Sequence, residues 1–270
     1  MFATLHPDEY YRSFVHRGVR PDGRSLHRVR KTAVGVGAVG TADGSASAKM
    51  GATSVMAGVK ASLNAEPALS VDGPPCRVGI HVELGGVALG DKNEDASRVE
   101  AFLASALAAG DVLDAEALCE HGTGWVLAVD VYVLNHDGNL YDVCLLAVVG
   151  ALQAVRLPAI RAVTEDGEED AVGGPGAVYE IDAARPSRQL TLGSLPVSLT
   201  MGLLDDRVIV DPTRDEEDRM ATLVTVGMLP TGRMFAFETR GGGASLPPAT
   251  RATCIKLAEA RIEQVVGLFV

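Results

Sequence analysis

The feature that most constrains this chain is an almost unbroken apolar run, residues 140–157. It follows the turn Asn135-His136-Asp137-Gly138-Asn139 and closes at Pro158. The turn itself ends an apolar strand that opens at Trp125 and runs to Leu134. A surface helix would show a polar face at a 3.6-residue period, so the run reads as a helix buried on most sides. Such a helix has to be enclosed by the rest of the chain, and 270 residues of 47% hydrophobic content supply an ample core.

The remaining elements follow from local pattern. Residues 6–17 form a short helix with Pro7 in its first turn, anchored by Tyr10 and Phe14 and stopped by Gly18. Alternation at Val34, Val36 and Ala38 predicts a half-buried strand over 32–39, and strands are expected over 45–50 and 53–63, with Lys60 at the surface. A Pro/Gly-rich loop spans 65–76, and strand-like alternation returns over 77–89. Residues 91–109 form a helix: Asp91 and Glu94 make a capping box, Val99, Phe102, Leu103, Ala106 and Leu107 one stripe, and Gly110 the stop. Beyond an acidic and Gly-rich stretch, strands are expected over 196–203, 207–210, 221–228 and 233–239. A last helix follows Pro247-Pro248, with Ile255, Ala258, Ile262 and Val265 on one face. The two lobes echo each other as a duplicated α+β unit. The division is 1–31 (helix and basic arm), 32–162 (first half), 163–190 (acidic, Gly-rich linker) and 191–270 (second half).

The formal charge of −11 and the 4% aromatic content disfavour a free-standing, strongly basic nucleic-acid binder. Charge reverses only between Arg12 and Lys31, where seven basic residues face the single acid Asp22. Arg20, Arg24, Arg28 and Arg30 are therefore the candidates for RNA contact; the alternative is that they pair with carboxylates of a partner or of the chain itself. The four cysteines lie far apart without a C-x-x-C pair, as expected of buried reduced thiols, and the Gly173-Gly174-Pro175-Gly176 tetrad lacks a P-loop lysine. No apolar run without charges reaches the ~18 residues of a membrane span, and residues 1–11 show no signal-peptide core, so a soluble intracellular protein is expected. His136 is expected exposed and silent in its turn. The loop from Asp211 to Asp218 gathers carboxylates that suit an acid/base pair, a divalent-metal site at Asp211, Asp215, Glu217 and Asp218, or a solvated connection.

Several stretches resemble one family. Glu9-Tyr10-Tyr11-Arg12-Ser13-Phe14, Arg20-Pro21-Asp22-Gly23-Arg24, Gly40-Thr41-Ala42-Asp43-Gly44-Ser45-Ala46, Gly51-Ala52-Thr53, Gly58-Val59-Lys60-Ala61, Trp125-Val126-Leu127, Pro196-Val197-Ser198-Leu199-Thr200 and Val210-Asp211-Pro212-Thr213 are similar, in that order, to RNase PH-like subunits of the eukaryotic RNA exosome ring. The resemblance implies an RNase PH-like fold of duplicated β-α-β-α-type halves. It also implies a six-membered ring with other RNase PH-like subunits, RNA-binding cap subunits on one face, and single-stranded RNA reached through the whole complex. Location in the nucleus, including the nucleolus, and in the cytoplasm is implied as well; no cofactor and no membrane partner are.

Active relatives attack RNA from its 3′ end with inorganic phosphate, which needs arginines for the phosphates and an acid at the leaving group. Here this sequence departs from the pattern. Where active members carry Asp-Gly-Gly-Thr-Arg, this chain has Asp137-Gly138-Asn139-Leu140-Tyr141; where they carry Gly-Arg-Ser-Leu-Arg, it has Leu103-Ala104-Ser105-Ala106-Leu107. Ala104, Leu107 and Tyr141 thus stand at former arginine positions, and Asp211 and Glu217 at the two acidic ones. The implied role is that of a catalytically inactive structural subunit supporting RNA processing and degradation. The rivals are a phosphate-dependent 3′-to-5′ exoribonuclease, which would need arginines converging from elsewhere, a metal-dependent hydrolase built on the Asp211 loop, and a free-standing interaction protein.

Overall fold

The computed structural model describes residues 5–63, 77–85, 92–109, 112–113, 118–120, 123–163, 178–182, 184–242 and 246–269. The expected 65–76 loop, the Gly173–Gly176 tetrad, Asp91 and Cys76 lie outside the described residues, as does the side chain of Cys119.

After α1 (Pro7–His16), the first half is a sheet of β1 (Thr32–Val36), β2 (Gly44–Met50), β3 (Thr53–Leu63), β4 (Arg77–Leu84), β5 (Cys119–Glu120) and β6 (Thr123–Asn135). Its order is β1-β2-β3-β6-β4, with β5 on β6. All pairings are antiparallel except β4 with β6, whose parallel register requires a crossover containing α2 (Lys92–Leu107). Helix α3 (Leu140–Gln153) then lies on the sheet. The short ladders β7 (Arg156–Leu157) with β10 (Arg188–Gln189) and β8 (Ala159–Val163) with β9 (Val178–Asp182) lead to the second half. There β11 (Val197–Leu204), β12 (Arg207–Val210), β13 (Thr222–Met228) and β14 (Met234–Gly241) form an antiparallel sheet of order β12-β11-β13-β14. The one-turn α4 (Arg214–Glu217) lies between β12 and β13, and α5 (Pro248–Val266) covers one face.

Helix α3 is the centre of the molecule, and every residue from Leu140 to Leu152 is buried. On one side it meets the first sheet at close range: a Cβ on Gly150 would stand 3.0 Å from Ala46 Cβ and 3.1 Å from Val34 Cγ1. On the other it meets β11, whose residues alternate. Leu199 and Met201 pack with Cys254 and Ala258 of α5, while Ser198 and Thr200 turn toward Asp142 of α3. The fully buried Asp142 carboxylate accepts from Ser198 Oγ at 2.8 Å and from Thr200 N and Oγ1 at 2.9 and 3.1 Å. Burial pushes its pKa above the usual carboxylate range, against the pull of those hydrogen bonds. A hydrogen-bonded carboxylate therefore ties the two halves together.

Three local expectations are corrected. The apolar run is helical only to Gln153; beyond Ala154 the pattern becomes buried Val155, exposed Arg156, buried Leu157, a period of two that suits strand β7. Strand β1 stops at Val36, which is 64% exposed, because Gly37 turns the chain with a φ of +76°. On α5 the buried residues are Cys254, Ala258, Arg261 and Val265, with Ile255 and Ile262 only partly covered. Within 163–190, residues 178–182 and 188–189 pair back onto β8 and β7, so these parts are folded against the first half. The buried thiols of Cys144 and Cys254 are free, as expected.

Candidate functional site

The site lies where the turn before α3 meets the loop after β12. Gly138 makes the approach possible: its φ is +80°, and a Cβ there would fall 2.5 Å from Pro212 O and 2.6 Å from the Thr213 carbonyl carbon. Only glycine tolerates both the backbone conformation and the proximity.

Asp211 sits at the end of β12 with a φ of +51° and no exposure to solvent. Its Oδ1 accepts from Arg30 Nη2 at 2.7 Å and Asn139 Nδ2 at 2.8 Å. Its Oδ2 accepts from the Arg30 backbone N at 2.7 Å, Arg30 Nε at 2.9 Å and Arg24 Nη1 at 3.1 Å. Burial alone would raise its pKa, but the Arg30 hydrogen bonds and charge, with Asn139, outweigh that and hold the carboxyl below the usual range. Arg20 is fully buried beside it, pairing with Glu216 through Nη2 and Nε and donating to the carbonyls of Val210 (2.7 Å) and Asp211 (2.9 Å). Arg24 also holds Asp22 at 2.6 Å, and Arg30 Nη1 donates to Asp137 O at 2.6 Å.

The basic arm is thus an internal clamp, which corrects the RNA-contact expectation for Arg20 and Arg30: both are buried against the chain's own acids, and Arg24 is largely covered. Of the four candidates, Arg28 alone is exposed.

Of the three positions that the resemblance aligns with arginines, two are closed. Tyr141 is 2% exposed and meets Phe102 edge to face at a centroid distance of 4.9 Å. Leu107 is buried in the same core, and Ala104 faces solvent. The four carboxylates considered for a metal diverge: Asp211 is held by Arg30, Glu217 faces the backbone N of Asn139 at 2.7 Å, Asp218 lies 3.6 Å from Arg214, and Asp215 is exposed. Among the described residues no cluster of three such groups is placed to hold a metal ion.

Sequence reasoning missed Arg214, Arg240 and the role of His136. The two arginines border a small pocket with His136, Tyr141 and Glu217, so cationic groups do converge here from elsewhere in the chain. His136 is half-buried, accepting from Gly138 N (3.2 Å) and facing Arg214 Nη1 (2.8 Å). Burial, then Arg214, Arg240 and Arg30, lower its pKa to about 4, so it is neutral at pH 7. Arg240 lies 4.9 Å over the Tyr141 ring. No sequence signal singled out these arginines, because 26 positions separate them and only the β13–β14 hairpin brings them together.

Residues 28–158 match domain 1 and residues 194–261 match domain 2 of the 3′ exoribonuclease family. The exosome complex component Rrp42 of Pyrococcus abyssi is 31% identical, over 86% of this chain and 82% of its own. The exosome complex component Rrp43 of Schizosaccharomyces pombe is 27% identical, over 97% and 94%. The Glu-Tyr-Tyr opening and the 41–46 stretch resemble the Rrp43 type, and whole-chain similarity extends to both types at comparable level. A solved structure of the Archaeoglobus fulgidus exosome with RNA bound to the active site has the same fold, with a TM-score of 0.78, 24% identity and 97% coverage of each chain.

Proposed function

Because this chain belongs to the 3′ exoribonuclease family, with both RNase PH-type domains, we propose that it is a structural subunit of an exosome-type ring and has no phosphorolytic activity of its own. The observation that carries the second half of this reading is the state of Asp211. An acid that assists a leaving group, or binds a metal that does, must be able to exchange its partners. Asp211 is sealed from solvent and holds five donors from Arg24, Arg30 and Asn139, so it has neither a free lone pair nor access. Its arginines position the loop instead. With apolar or aromatic groups at Ala104, Leu107 and Tyr141, the three arginines of the active pattern are missing from those positions, a loss on the order of a thousandfold or more in rate.

Ring membership is supported by the relatives, which are exosome components, and by apolar side chains left on the surface. Tyr132 and Leu134, alternate residues on the outer side of β6, are 45% and 57% exposed. The partners proposed are other RNase PH-like subunits in a six-membered ring, cap subunits, and single-stranded RNA reached through the complex. At −11, this chain leaves most of the attractive field to basic neighbours. Its own RNA contact, if the ring channel meets it, rests with Arg28 rather than the clamp arginines. In a eukaryotic cell the subunit would serve RNA processing in the nucleus, nucleolus and cytoplasm.

Native mass spectrometry after co-expression with RNase PH-type partner subunits tests the assignment. A stoichiometric ring containing this chain is expected, and a chain that stays monomeric beside an assembled ring would overturn it.

A further inference from the structure

The pocket beside Asp211 holds an arrangement that the structural role does not require. Helix α3 begins there, and the first backbone N–H groups of a helix have no partner within it and carry its positive end. Asn139, the residue that should cap it, makes no side-chain cap; its amide is committed to Asp211. The Asn139 backbone N instead donates at 2.7 Å to Glu217 Oε1, a carboxylate arriving from α4. Burial holds that carboxyl above its ordinary range in spite of the Asn139 N–H, Arg240 and Arg214.

The surroundings are richer in donors than one carboxylate needs. Arg240 has no carboxylate within ion-pair distance among the described residues and lies over Tyr141. His136 meets an N–H donor at each ring nitrogen, Gly138 N at Nδ1 and Arg214 Nη1 at Nε2, although a neutral imidazole has only one acceptor nitrogen. Two guanidiniums, that of Arg214 also 3.6 Å from Asp218, a helix amino end and an over-supplied imidazole, with Asp95 as the second acid of the lining, make a pocket for a tetrahedral oxyanion. The cavity that remains measures about 30 Å³, room for a water molecule and too little for a phosphate while Glu217 is in place.

We infer that Glu217 is a built-in anion: its carboxylate fills an oxyanion pocket made by the start of α3, Arg214 and Arg240, and thereby keeps inorganic phosphate out. This deepens the proposed function, on which it rests, by giving a specific reason why phosphate is refused, and it is read by binding rather than by turnover.

Inorganic phosphate is titrated into the full chain at constant ionic strength, following 31P line width and thermal midpoint, with sodium chloride as the control. The wild type is expected to show no saturable response up to about 10 mM, and Glu217→Ala a saturable one at least about tenfold tighter. Adding Arg240→Ala to Glu217→Ala should abolish it. Glu217→Gln keeps the shape, removes the charge and should gain a weaker response, and it decides the matter if the alanine variant does not fold. A wild type that binds phosphate as tightly as the variants, or folded variants without any response, would overturn the inference. Phosphate binding by the wild type without turnover would overturn this inference alone, whereas phosphorolysis by the wild type would overturn the proposed function.

Discussion

Replacing Asp211 by Asn separates a structural carboxylate from a chemical one. The side chain keeps its shape and loses its charge in a position with no solvent exposure. Two guanidiniums, those of Arg30 and Arg24, would then face a neutral amide whose NH2 group points at donors, since all five present partners donate. Breaking a buried ion pair by neutralising one member typically costs 3–5 kcal/mol, because the remaining charge is left desolvated. Asp211 is also in the left-handed region, at φ +51°, which Asn tolerates as well as Asp, so backbone strain adds little. In a chain of this size the loss corresponds to roughly 6–20 °C in Tm. Urea unfolding of the wild type, Asp211→Asn and the exposed control Asp215→Asn measures it, with the control expected to move by no more than ~0.5 kcal/mol. Arg30→Met combined with Asp211→Asn should lose less than the sum of the single changes. A loss below ~1 kcal/mol for Asp211→Asn would refute the reasoning, because acids kept for chemistry or metal binding are the ones whose removal leaves stability untouched.

Two further outcomes follow from the site. Gly138→Ala forces a Cβ into the Pro212–Thr213 backbone at a φ of +80° and should cost at least ~2 kcal/mol in urea unfolding; an effect below 1 kcal/mol would show that the turn and the acidic loop are not in contact. His136 has a folded pKa of about 4 against 6.5 unfolded, so between those values the unfolded chain binds the proton and the folded one does not. Its contribution is complete above pH 6.5 and is lost as pH falls toward 4, by about 1–2 kcal/mol once its partial exposure is allowed for. Comparing His136→Gln with wild type should show a stability difference whose change with pH is confined to that window.

What the sequence made legible was what depends on near neighbours. The apolar run after the Asp137-Gly138 turn announced a buried helix, strands were expected over 53–63 and 125–134, and the strands expected over 196–203 and 207–210 are β11 and β12, joined by Asp205 and Asp206 at positive φ. Of the positions matched to arginines of active relatives, Tyr141 lies at the start of α3, Leu107 on the core face of α2 and Ala104 on its solvent face. What could not be read was which charges meet. Arg20, Arg24, Arg28 and Arg30 look alike in a sequence, yet three turn inward because Asp211 and Glu216, over 180 residues later, are presented by β12 and α4 at the right distance. His136 reads as a solvated turn residue until Arg214 closes over it. Long-range ion pairing leaves no periodic trace, so the arm could be recognised as basic but not as a clamp.

The most direct test of the central claim is phosphate-dependent release of nucleoside diphosphates from end-labelled single-stranded RNA, with the purified chain alone and again in a reconstituted ring. In the ring, the rates with wild type and with Glu217→Gln in this subunit are compared. The account predicts no release by the chain alone, and a rate in the ring indifferent to that change. Release by the chain alone, or a ring activity that Glu217→Gln abolishes without dissociating the ring, would contradict it.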